Sequence, residues 1–570
     1  MIILYTIHQI SSIQGIPMSK KEILSGAQII AQCLVDHEVE RVFTIPGAKI
    51  DALHNALLDT TIKMIVCRHE QNAAFMAAAY GRLTGKPGVV IVTSGPGIGN
   101  LTTGLLTATS EGDPVIAIGG NAPLDMLHKS THQAAENKQI IEHATKHSIE
   151  INSINTVSES ITNSFLKAVT PKQGACFISI PQNILTETRP ESNDNTRPLH
   201  IEKTRACEET IKNICDNIQK ANSPLLILGN EASHDKNCAE IRSLLEHYKI
   251  PCVSTFQGTG VITKELESVW FGRIGLFKNQ LGDAIIDASD LIITIGFDPI
   301  EYDPEIWCSP GKQRIIHINE YIPLIREHYN PIENCLGSIR KNIKAIKNVL
   351  PTNKEIRKEL HEIKNTFNEK KLIKFDNQPG KVHPIEFINE LQKIITEETI
   401  VISDIGTHYM WIADNLKVHS PRSLLTSNGQ QTLGVALPWA IAAHYAKKDN
   451  IISISGDGGF LFSAMELETA VREKANFIHF IWADGYYNMV KEQQNIKYDR
   501  SAAVKFGEID YVKFAESFGA KGYKLEDAKQ IPSIIKEGKD HKGPILVEVP
   551  INYNDNHYLF EMSSDHTVVH

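Results

Sequence analysis

The sequence has 570 residues, which at about 150 residues per domain predicts roughly three to four domains and excludes a single small fold. Hydrophobic residues make up 42% and charged residues 22% of the chain, so a disordered protein is excluded as well. The net charge is −9 without any basic block or apolar run of membrane-spanning length, which argues against nucleic-acid and membrane partners and for small-molecule ligands.

The first third of the chain alternates short apolar runs with helical patterns. We interpret residues 1–18 as a loose leader, because they lack the charge pattern and cleavage site of a signal peptide. The predicted strands that follow are Arg41–Ile45, Met64–Cys67, Val89–Thr93, Val115–Ile118 and Cys176–Ile180, with helices at Asn72–Arg82 and Asn100–Thr109. This alternation predicts a first domain at residues 19–185, and the polar residues 186–204 predict a linker.

A second alternating block predicts a central domain at residues 205–345. Its predicted strands are Pro224–Leu228, Pro251–Thr255, Leu291–Gly296 and Arg314–Ile318, with a helix near Ala239–Tyr248. The lysine-rich stretch Lys341–Lys374 predicts a solvated connecting helix, and we assign residues 346–380 to a charged connecting segment.

The third block predicts a domain at residues 381–556, followed by a tail at 557–570. Its predicted elements are a helix at His383–Ile395 and strands at Ile400–Ser403, Ile451–Ser455, Phe477–Trp482 and Ile545–Val549. The fold class is therefore α/β, with three doubly wound parallel-sheet domains.

A glycine turn in the third domain predicts an anion site. The run Gly456-Asp457-Gly458-Gly459 follows a strand and precedes a predicted amphipathic helix at Phe460–Val471, with Met465, Leu467 and Ala470 toward the core. Glycines let the backbone approach a ligand, and free N–H groups at a helix start favour phosphate. A structural tight turn explains the glycines about as well.

Two carboxylates change this balance in favour of a ligand. Asp457 beside a phosphate is repulsive unless a hard dication such as Mg²⁺ bridges the two groups. Asp484 lies 484 − 457 = 27 residues later, at the end of the next predicted strand, and so reaches the same carboxyl edge of the sheet.

This turn, Gly456-Asp457-Gly458, followed at that spacing by Asp484, resembles the motif of the thiamine diphosphate-dependent enzymes. The resemblance implies three domains of that family's type, which are pyrimidine-binding, central and diphosphate-binding in chain order. It also implies thiamine diphosphate and Mg²⁺ as cofactors, with Asp457, Asp484 and the backbone carbonyl of Tyr486 as metal ligands. The usual Asn-Gly ending of the motif reads Gly485-Tyr486 here.

The segment Arg68-His69-Glu70-Gln71-Asn72 resembles the conserved-glutamate segment of the same family. Thiamine enzymes place a carboxyl group against the aminopyrimidine ring, so that the opposite amino group can remove the thiazolium proton, and the resemblance implies this role for Glu70. Without the glycine motif, Glu70 would be a first-turn acid favoured by the helix dipole.

Two further segments resemble cofactor-holding stretches of the family. Asp404–His408 matches the segment that binds the diphosphate, and Ser427–Gly434 matches the stretch that holds the aminopyrimidine. In the second stretch Leu433 would be the apolar wedge beneath the cofactor, although an ordinary core residue is an open alternative. The remaining cofactor-binding residues implied are Gly406, Thr407, His408, Gln430, Gln431, Gly458, Gly459, Tyr487 and Met489.

The resemblance runs from about Ser25 to Tyr553 and is closest to the acetolactate synthases. This implies condensation of two pyruvate molecules to 2-acetolactate and CO₂, and active sites at the interface of a homodimer or homotetramer. Gln133 and Gln493 would orient the second pyruvate, with plain packing as the alternative for either side chain.

Several rival interpretations stay open at this point. Flavin-containing relatives carry an Arg-Phe-Asp-Asp-Arg run where this chain has Gly296–Tyr302, so FAD is not expected and the flavin-independent, catabolic type that feeds acetoin or butanediol formation is favoured. The rivals are a biosynthetic flavin enzyme, a pyruvate oxidase or decarboxylase, a non-catalytic relative and a nicotinamide dehydrogenase. The nine scattered cysteines predict reduced core thiols. The lack of a membrane-spanning run and of signal-peptide features predicts a cytoplasmic location.

Overall fold

Three six-stranded parallel sheets organise the chain. The computed structural model describes residues 23–191, 201–275, 277–352, 355–370, 374–375, 378–446 and 450–561. The predicted leader lies outside the described residues, as do residues 192–200 of the predicted linker and 562–570 of the predicted tail.

The first domain contains one of these sheets and a small antiparallel pair. Its strands are β1 (Ile23–Ser25), β2 (Arg41–Thr44), β3 (Lys63–Val66), β4 (Gly88–Val92), β5 (Val115–Asn121), β6 (His147–Glu150), β7 (Ala175–Pro181) and β8 (Thr188–Pro190). Its helices are α1 (Gly26–Asp36), α2 (Asp51–Leu57), α3 (Glu70–Thr84), α4 (Pro96–Glu111), α5 (Asn137–Glu142), α6 (Val157–Val169) and α7 (Gln182–Thr186). The parallel strands are ordered β3-β2-β4-β5-β7-β6, and β1 pairs with β8.

The central domain repeats this architecture. Its strands are β9 (Pro224–Leu228), β10 (Cys252–Ser254), β11 (Trp270–Arg273), β12 (Leu291–Ile295), β13 (Arg314–Asn319) and β14 (Glu333–Leu336), in the spatial order β11-β10-β9-β12-β13-β14. Its helices are α8 (Glu208–Lys220), α9 (Asp235–His247), α10 (Leu281–Asp287), α11 (Pro304–Trp307) and α12 (Ile339–Val349).

The lysine-rich stretch differs from the predicted solvated helix. It contains α12, whose Ile339, Ile343 and Ile346 are buried in the central core, and a second helix, α13 (Lys358–Lys370), which buries Leu360. Most of the lysines lie away from these apolar stripes, and their frequency hid the stripes in the sequence, whereas Lys364 packs against the central domain and donates to the backbone carbonyls of Glu267 and Trp270. The predicted boundary between residues 345 and 346 falls inside α12.

The third domain contains the remaining sheet, ordered β16-β15-β17-β18-β20-β19. Its strands are β15 (Thr399–Ser403), β16 (Leu424–Leu425), β17 (Asn450–Gly456), β18 (Phe477–Ala483), β19 (Lys521–Lys524) and β20 (Pro544–Pro550). Its helices are α14 (Pro384–Gln392), α15 (Thr407–Asn415), α16 (Ala436–Tyr445), α17 (Asp457–Leu461), α18 (Glu466–Arg472), α19 (Asn488–Tyr498), α20 (Tyr511–Ser517), α21 (Ile531–Asp540) and α22 (His557–Glu561).

The helix after the glycine turn also differs from the prediction. Instead of one helix at Phe460–Val471, α17 begins at Asp457 and ends at Leu461, and α18 begins at Glu466. Between them, Phe462 and Ser463 donate their N–H groups three residues back, which closes a tight turn. Met465 is consequently 38% exposed rather than in the core, whereas Leu467 and Ala470 are buried as predicted.

The first and third domains share one hydrophobic core. Helix α3 packs against α16, and a single buried cluster runs from Phe43 of the first domain to Trp439 of the third. The strands are continuously apolar because helices cover both faces of each parallel sheet. Among the described residues, no helix is long and apolar enough to cross a membrane.

Candidate active site

A cavity of about 240 Å³ opens at the carboxyl edge of the third sheet. Its walls come from the loops after β15, β17 and β18 and from the start of α19. Most of the predicted site residues line this cavity: Gly406, Thr407, His408, Gln431, Leu433, Asp457, Gly458, Gly459, Asp484, Tyr486, Tyr487, Met489 and Gln493. The structure thus brings together residues from separate motifs at the edge where open αβ sheets bind ligands.

Asp457 is the first residue of α17, directly after β17, and is 3% exposed. Its carboxylate accepts hydrogen bonds from the backbone N–H groups of Gly458 (2.9 Å), Asp484 (3.0 Å) and Gly485 (2.7 Å). Burial raises the pKa of this carboxyl, while the three N–H donors favour its charged form. Asp457 therefore joins the glycine turn to the loop after β18.

Asp484 supplies the second carboxylate of the cavity. Its two oxygens accept hydrogen bonds from the Tyr486 N–H (3.2 Å) and the Asn488 side-chain amide (2.7 Å). Burial, and next the charge of Asp457, raises the pKa of Asp484 to about 6. Two neighbouring carboxylates, of which the buried Asp457 disfavours the charge of the partly buried Asp484, are a donor set that a hard dication stabilises.

The unusual Gly485-Tyr486 ending is accommodated by the backbone. Gly485 has φ +78°, a left-handed conformation that suits glycine, and the loop continues into an isolated antiparallel bridge between Tyr486 and Lys505. The Tyr486 ring lies with its centroid 4.3 Å from the Lys491 Nζ and 6.0 Å from the Lys505 Nζ. The bulky side chain therefore has its own contacts, and the residue still lines the cavity.

The diphosphate end of the predicted site contains a buried ring nitrogen without a partner among the described residues. His408 is 2% exposed, and its Nε2 has no hydrogen-bond partner among the described residues. Burial lowers the pKa of His408 to about 3, so its ring is neutral without a ligand. A Cβ on Gly458 would lie 2.6 Å from the Tyr487 ring, so any larger residue would require that ring to move. The buried ring nitrogen, the glycine turn and the carboxylate pair fit a diphosphate bridged by Mg²⁺.

No group of three or more His, Cys, Asp or Glu side chains with metal-binding geometry occurs in the part of the chain that the structure describes. A metal in this cavity would therefore take the two carboxylates together with the Tyr486 carbonyl and oxygens from outside the protein. That mixture of oxygen ligands is what Mg²⁺ prefers.

Two of the predicted aminopyrimidine-holding residues lie on the wall, and one does not. Leu433 is partly buried, packs against the core of the third domain and lines the cavity together with Gln431. Gln430 is exposed, does not line the cavity, and donates its side-chain amide to the Ser110 Oγ at 3.3 Å.

Glu70 and Gln133 each lie near the turn at Gly95–Gly97, outside this cavity. Glu70 is the first residue of α3 and accepts a hydrogen bond from the Asn100 side chain at 2.9 Å. A Cβ on Gly97 would lie 3.4 Å from the Glu70 Oε1, and a Cβ on Gly95 would lie 3.8 Å from the Gln133 Cα. Neither Glu70 nor Gln133 lines the cavity around Asp457, so one chain carries two separate groups of predicted site residues.

Two residues help to organise the cavity in ways that the sequence interpretation missed: it assigned no role to Asn488 and named Asp404 only as part of the diphosphate segment. Asn488 holds Asp484 and accepts hydrogen bonds from Thr407 (3.1 Å) and Asn556 (2.8 Å). Asp404 is buried and accepts from the N–H groups of Gly434 and Ala436, which positions the Leu433 loop. Asn488 could have been predicted, because it lies four residues after Asp484. The contacts of Asp404 could not, because they join segments that are distant in the sequence.

Family comparisons agree with this geometry. Residues 24–147 match the N-terminal TPP binding domain of the thiamine pyrophosphate enzymes, residues 211–346 the central domain, and residues 404–549 the C-terminal TPP binding domain. Thiamine pyrophosphate is another name for thiamine diphosphate, so the matched cofactor is the one that the glycine motif predicts.

Relatives match over nearly the whole chain. An acetolactate synthase of Bacillus subtilis (strain 168) is 43% identical over 536 residues, covering 93% of this chain and 94% of the relative. A protein of Raoultella terrigena named as a catabolic acetolactate synthase is 36% identical over 554 residues, covering 95% and 98%. A probable acetolactate synthase large subunit of Methanocaldococcus jannaschii is 29% identical over 558 residues, covering 93% and 92%. The chain belongs to the thiamine pyrophosphate enzyme family and, within it, to the acetolactate synthases.

Proposed function

We propose that this protein is a Mg²⁺- and thiamine diphosphate-dependent acetolactate synthase. In this reaction two pyruvate anions and one proton give one 2-acetolactate anion and one CO₂. The observation that carries the proposal is the likeness to enzymes of that name over more than nine-tenths of the chain, together with a cavity in which Gln493 accompanies Asp457 and Asp484. The test is product analysis with pyruvate and both cofactors.

The residues around Asp457 and the separate residue Glu70 would have different roles in the reaction. Bound thiamine diphosphate supplies the electron sink for decarboxylation of the 2-keto acid. Asp457, Asp484 and the Tyr486 carbonyl would hold Mg²⁺, which would neutralise the charge of the diphosphate, and the neutral His408 ring would offer its Nε2 to the diphosphate as well. Glu70 would hold a proton at the ring nitrogen of the aminopyrimidine. The apolar wall at Leu433 excludes water from the reacting face.

Gln493 is the side chain proposed to orient the second pyruvate. It is neutral and capable of hydrogen bonding, so it can hold the keto acid without protonating the reacting carbon. We expect Gln493→Ala to lower the yield of acetolactate relative to acetaldehyde by about tenfold or more, while CO₂ release continues. Both products are measured in the same reaction mixtures.

The neighbouring residue provides a matched control for this prediction. Gln494 does not line the cavity, and its side chain accepts the Ala502 N–H at 2.7 Å. Gln494→Ala should keep the product ratio of the parent protein. An unchanged ratio in Gln493→Ala would assign Gln493 to packing instead.

We further propose a dimer as the minimum active unit. Glu70 does not line the cavity that contains Asp457, yet one cofactor has to contact both residues, so the first domain of one subunit would face the third domain of the other. Activity per chain is expected to fall upon dilution in parallel with dissociation, measured by sedimentation with simultaneous assay. A fully active monomer would contradict the shared site.

The absence of bound flavin is a separate part of the proposal. At the carboxyl edge of the central sheet, between the ends of β9 and β12, the Glu301 carboxylate accepts the N–H groups of Asn230 (3.0 Å) and Asp298 (2.9 Å) and the Thr255 hydroxyl (2.6 Å). Nucleotides of open αβ sheets take backbone donors at such a switch point. Because Glu301 already uses these donors, the purified protein is expected to lack flavin absorbance bands, and a stoichiometric flavin spectrum would refute this.

The catabolic role and the cytoplasmic location belong to the same proposal. A relative named as catabolic is 36% identical over 95% of the chain, which supports a role in acetoin or butanediol formation. None of the nine cysteines, all of which lie among the described residues, forms a disulfide, which supports a reducing compartment.

A further inference from the structure

Glu466 is a fully buried carboxylate to which neither the sequence motifs nor the cavity assigns a role. It is the first residue of α18, is 0% exposed and does not line the cavity. Its Oε2 accepts the Thr469 hydroxyl at 2.7 Å, within the same helix. Its other oxygen, Oε1, accepts hydrogen bonds from residues of the first domain.

The Glu466 Oε1 binds the segment that carries Glu70. It accepts the backbone N–H groups of Arg68 (2.9 Å) and His69 (3.0 Å) and the side-chain amide of Asn72 (3.2 Å). These donors lie on both sides of Glu70 in the sequence. One carboxylate oxygen is thus the common acceptor for the segment between β3 and α3 and for the first turn of α3.

The hydrogen bonds to Glu466 hold the segment before α3 in place. They thereby fix the position of Glu70, which is the first residue of that helix. The residues before Glu70 lie between the end of β3 and the start of α3, and their N–H groups have no partner within either element. Hydrogen bonds to a carboxylate are short and stronger than neutral ones, and buried donors that lose their acceptor stay unsatisfied. A displacement of the Glu466 carboxylate would therefore displace Glu70 as well.

We propose that Glu466 is a positioning residue for Glu70, and that it links the glycine turn of one active site to the catalytic glutamate of the other. The inference rests on the proposed function in one respect, because it takes Glu70 as the group that contacts the aminopyrimidine. Glu466 lies nine residues after Asp457, joined to it by α17 and a tight turn. In the proposed dimer, Asp457 holds the cofactor of one site while Glu466 supports the Glu70 that serves the other.

The first test separates the effect of the position of the Glu466 carboxylate from the effect of its charge. Glu466→Gln keeps the length of the side chain, its carbonyl can accept the same three donors, and its NH₂ can donate to the Thr469 hydroxyl. Glu466→Asp keeps the charge but shortens the reach by about 1.5 Å. The readout is the rate of hydrogen–deuterium exchange at the thiazolium carbon of bound cofactor without pyruvate, with Glu70→Gln as the reference for a lost role.

We expect Glu466→Gln to exchange within a few-fold of the parent protein, and Glu466→Asp to be slower on the order of 10- to 100-fold. Cofactor affinity and thermal unfolding of both variants are measured alongside. Glu468→Gln, on the same helix and paired with Arg472, is the matched control and should exchange like the parent. Parent-like exchange in Glu466→Asp, or slow exchange in Glu466→Gln alone, would overturn the positioning role.

The second test uses hybrid dimers of a Glu70→Gln chain and an Asp457→Ala chain, which contain one complete site. Adding Glu466→Asp to the Asp457→Ala chain, which carries the working Glu70, should slow exchange as above. Adding it to the Glu70→Gln chain should leave exchange unchanged. The reverse pattern would overturn the inference, because Glu466 would then act through Asp457 of its own domain.

The outcomes also separate this inference from the proposed function. Because exchange is measured without pyruvate, it does not depend on the acetolactate reaction. A hybrid with no rapidly exchanging cofactor would contradict the shared site, and the homodimer series would still decide on Glu466. Parent-like exchange in Glu70→Gln would overturn the role of Glu70 and the positioning role with it.

Discussion

Replacement of Glu70 by glutamine is expected to leave the fold intact and to lower turnover of pyruvate on the order of 100- to 10,000-fold, the range of a lost general acid–base group. An amide cannot hold the proton at the aminopyrimidine ring nitrogen as a carboxyl group does. Glu70 is only partly buried and contacts the Asn100 amide, to which the glutamine oxygen can still bind, so little stability is lost. Turnover, thermal unfolding and cofactor affinity are measured on one preparation.

A control variant addresses the alternative that Glu70 is merely a first-turn acid of its helix. Glu159 occupies the first turn of α6 and is exposed. Glu159→Gln loses the same interaction with the helix dipole, about 0.3–1 kcal/mol, and should keep full activity. Normal turnover in Glu70→Gln would remove Glu70 from the mechanism.

Asp457→Ala has the second large expected effect, on cofactor binding. It removes one of two carboxylates from the Mg²⁺ site and leaves the N–H groups of Asp484 and Gly485 without their acceptor. We expect the apparent affinity for thiamine diphosphate to fall by more than about 100-fold, since loss of groups that merely support metal ligands already costs 10- to 100-fold. Titration of the cofactor at several Mg²⁺ concentrations measures the effect.

The metal dependence makes this prediction specific. Much of the defect in Asp457→Ala should be recovered at high Mg²⁺, because a weakened site still fills by mass action. Asp510→Asn, which changes an exposed helix cap, is the control and should bind cofactor like the parent. Cofactor affinity of the parent protein that is indifferent to EDTA would contradict a metal bridge.

The buried strands of the three sheets were predictable because parallel sheets covered on both faces need continuous apolar runs. Strands such as β9 and β12 are uniformly buried, and their sequences contain almost no polar residue. The edge strands β14 (Glu333–Leu336) and β19 (Lys521–Lys524) are polar or half-exposed, so their sequences contain no such run and were not predicted.

The site residues were predictable only where they lie close together in the sequence. Asp457 and Asp484 lie close in sequence and follow adjacent strands, so their spacing predicted one cavity. The Glu466 contacts join residues as much as 398 positions apart, and a separation of that size leaves no pattern in a single sequence. The break between α17 and α18 was missed for a related reason, since the tight turn there allows Glu466 to meet a segment of another domain.

The most direct test of the account is the stoichiometry of the reaction with isotopically labelled pyruvate. With Mg²⁺ and thiamine diphosphate, the protein should consume two pyruvate molecules for each CO₂ released and form 2-acetolactate in equal amount to the CO₂. Neither product should form when EDTA is present or the cofactor is omitted. Acetaldehyde or acetyl phosphate as the dominant product, with one CO₂ for each pyruvate consumed, would contradict the account and assign the protein to a decarboxylase or oxidase branch.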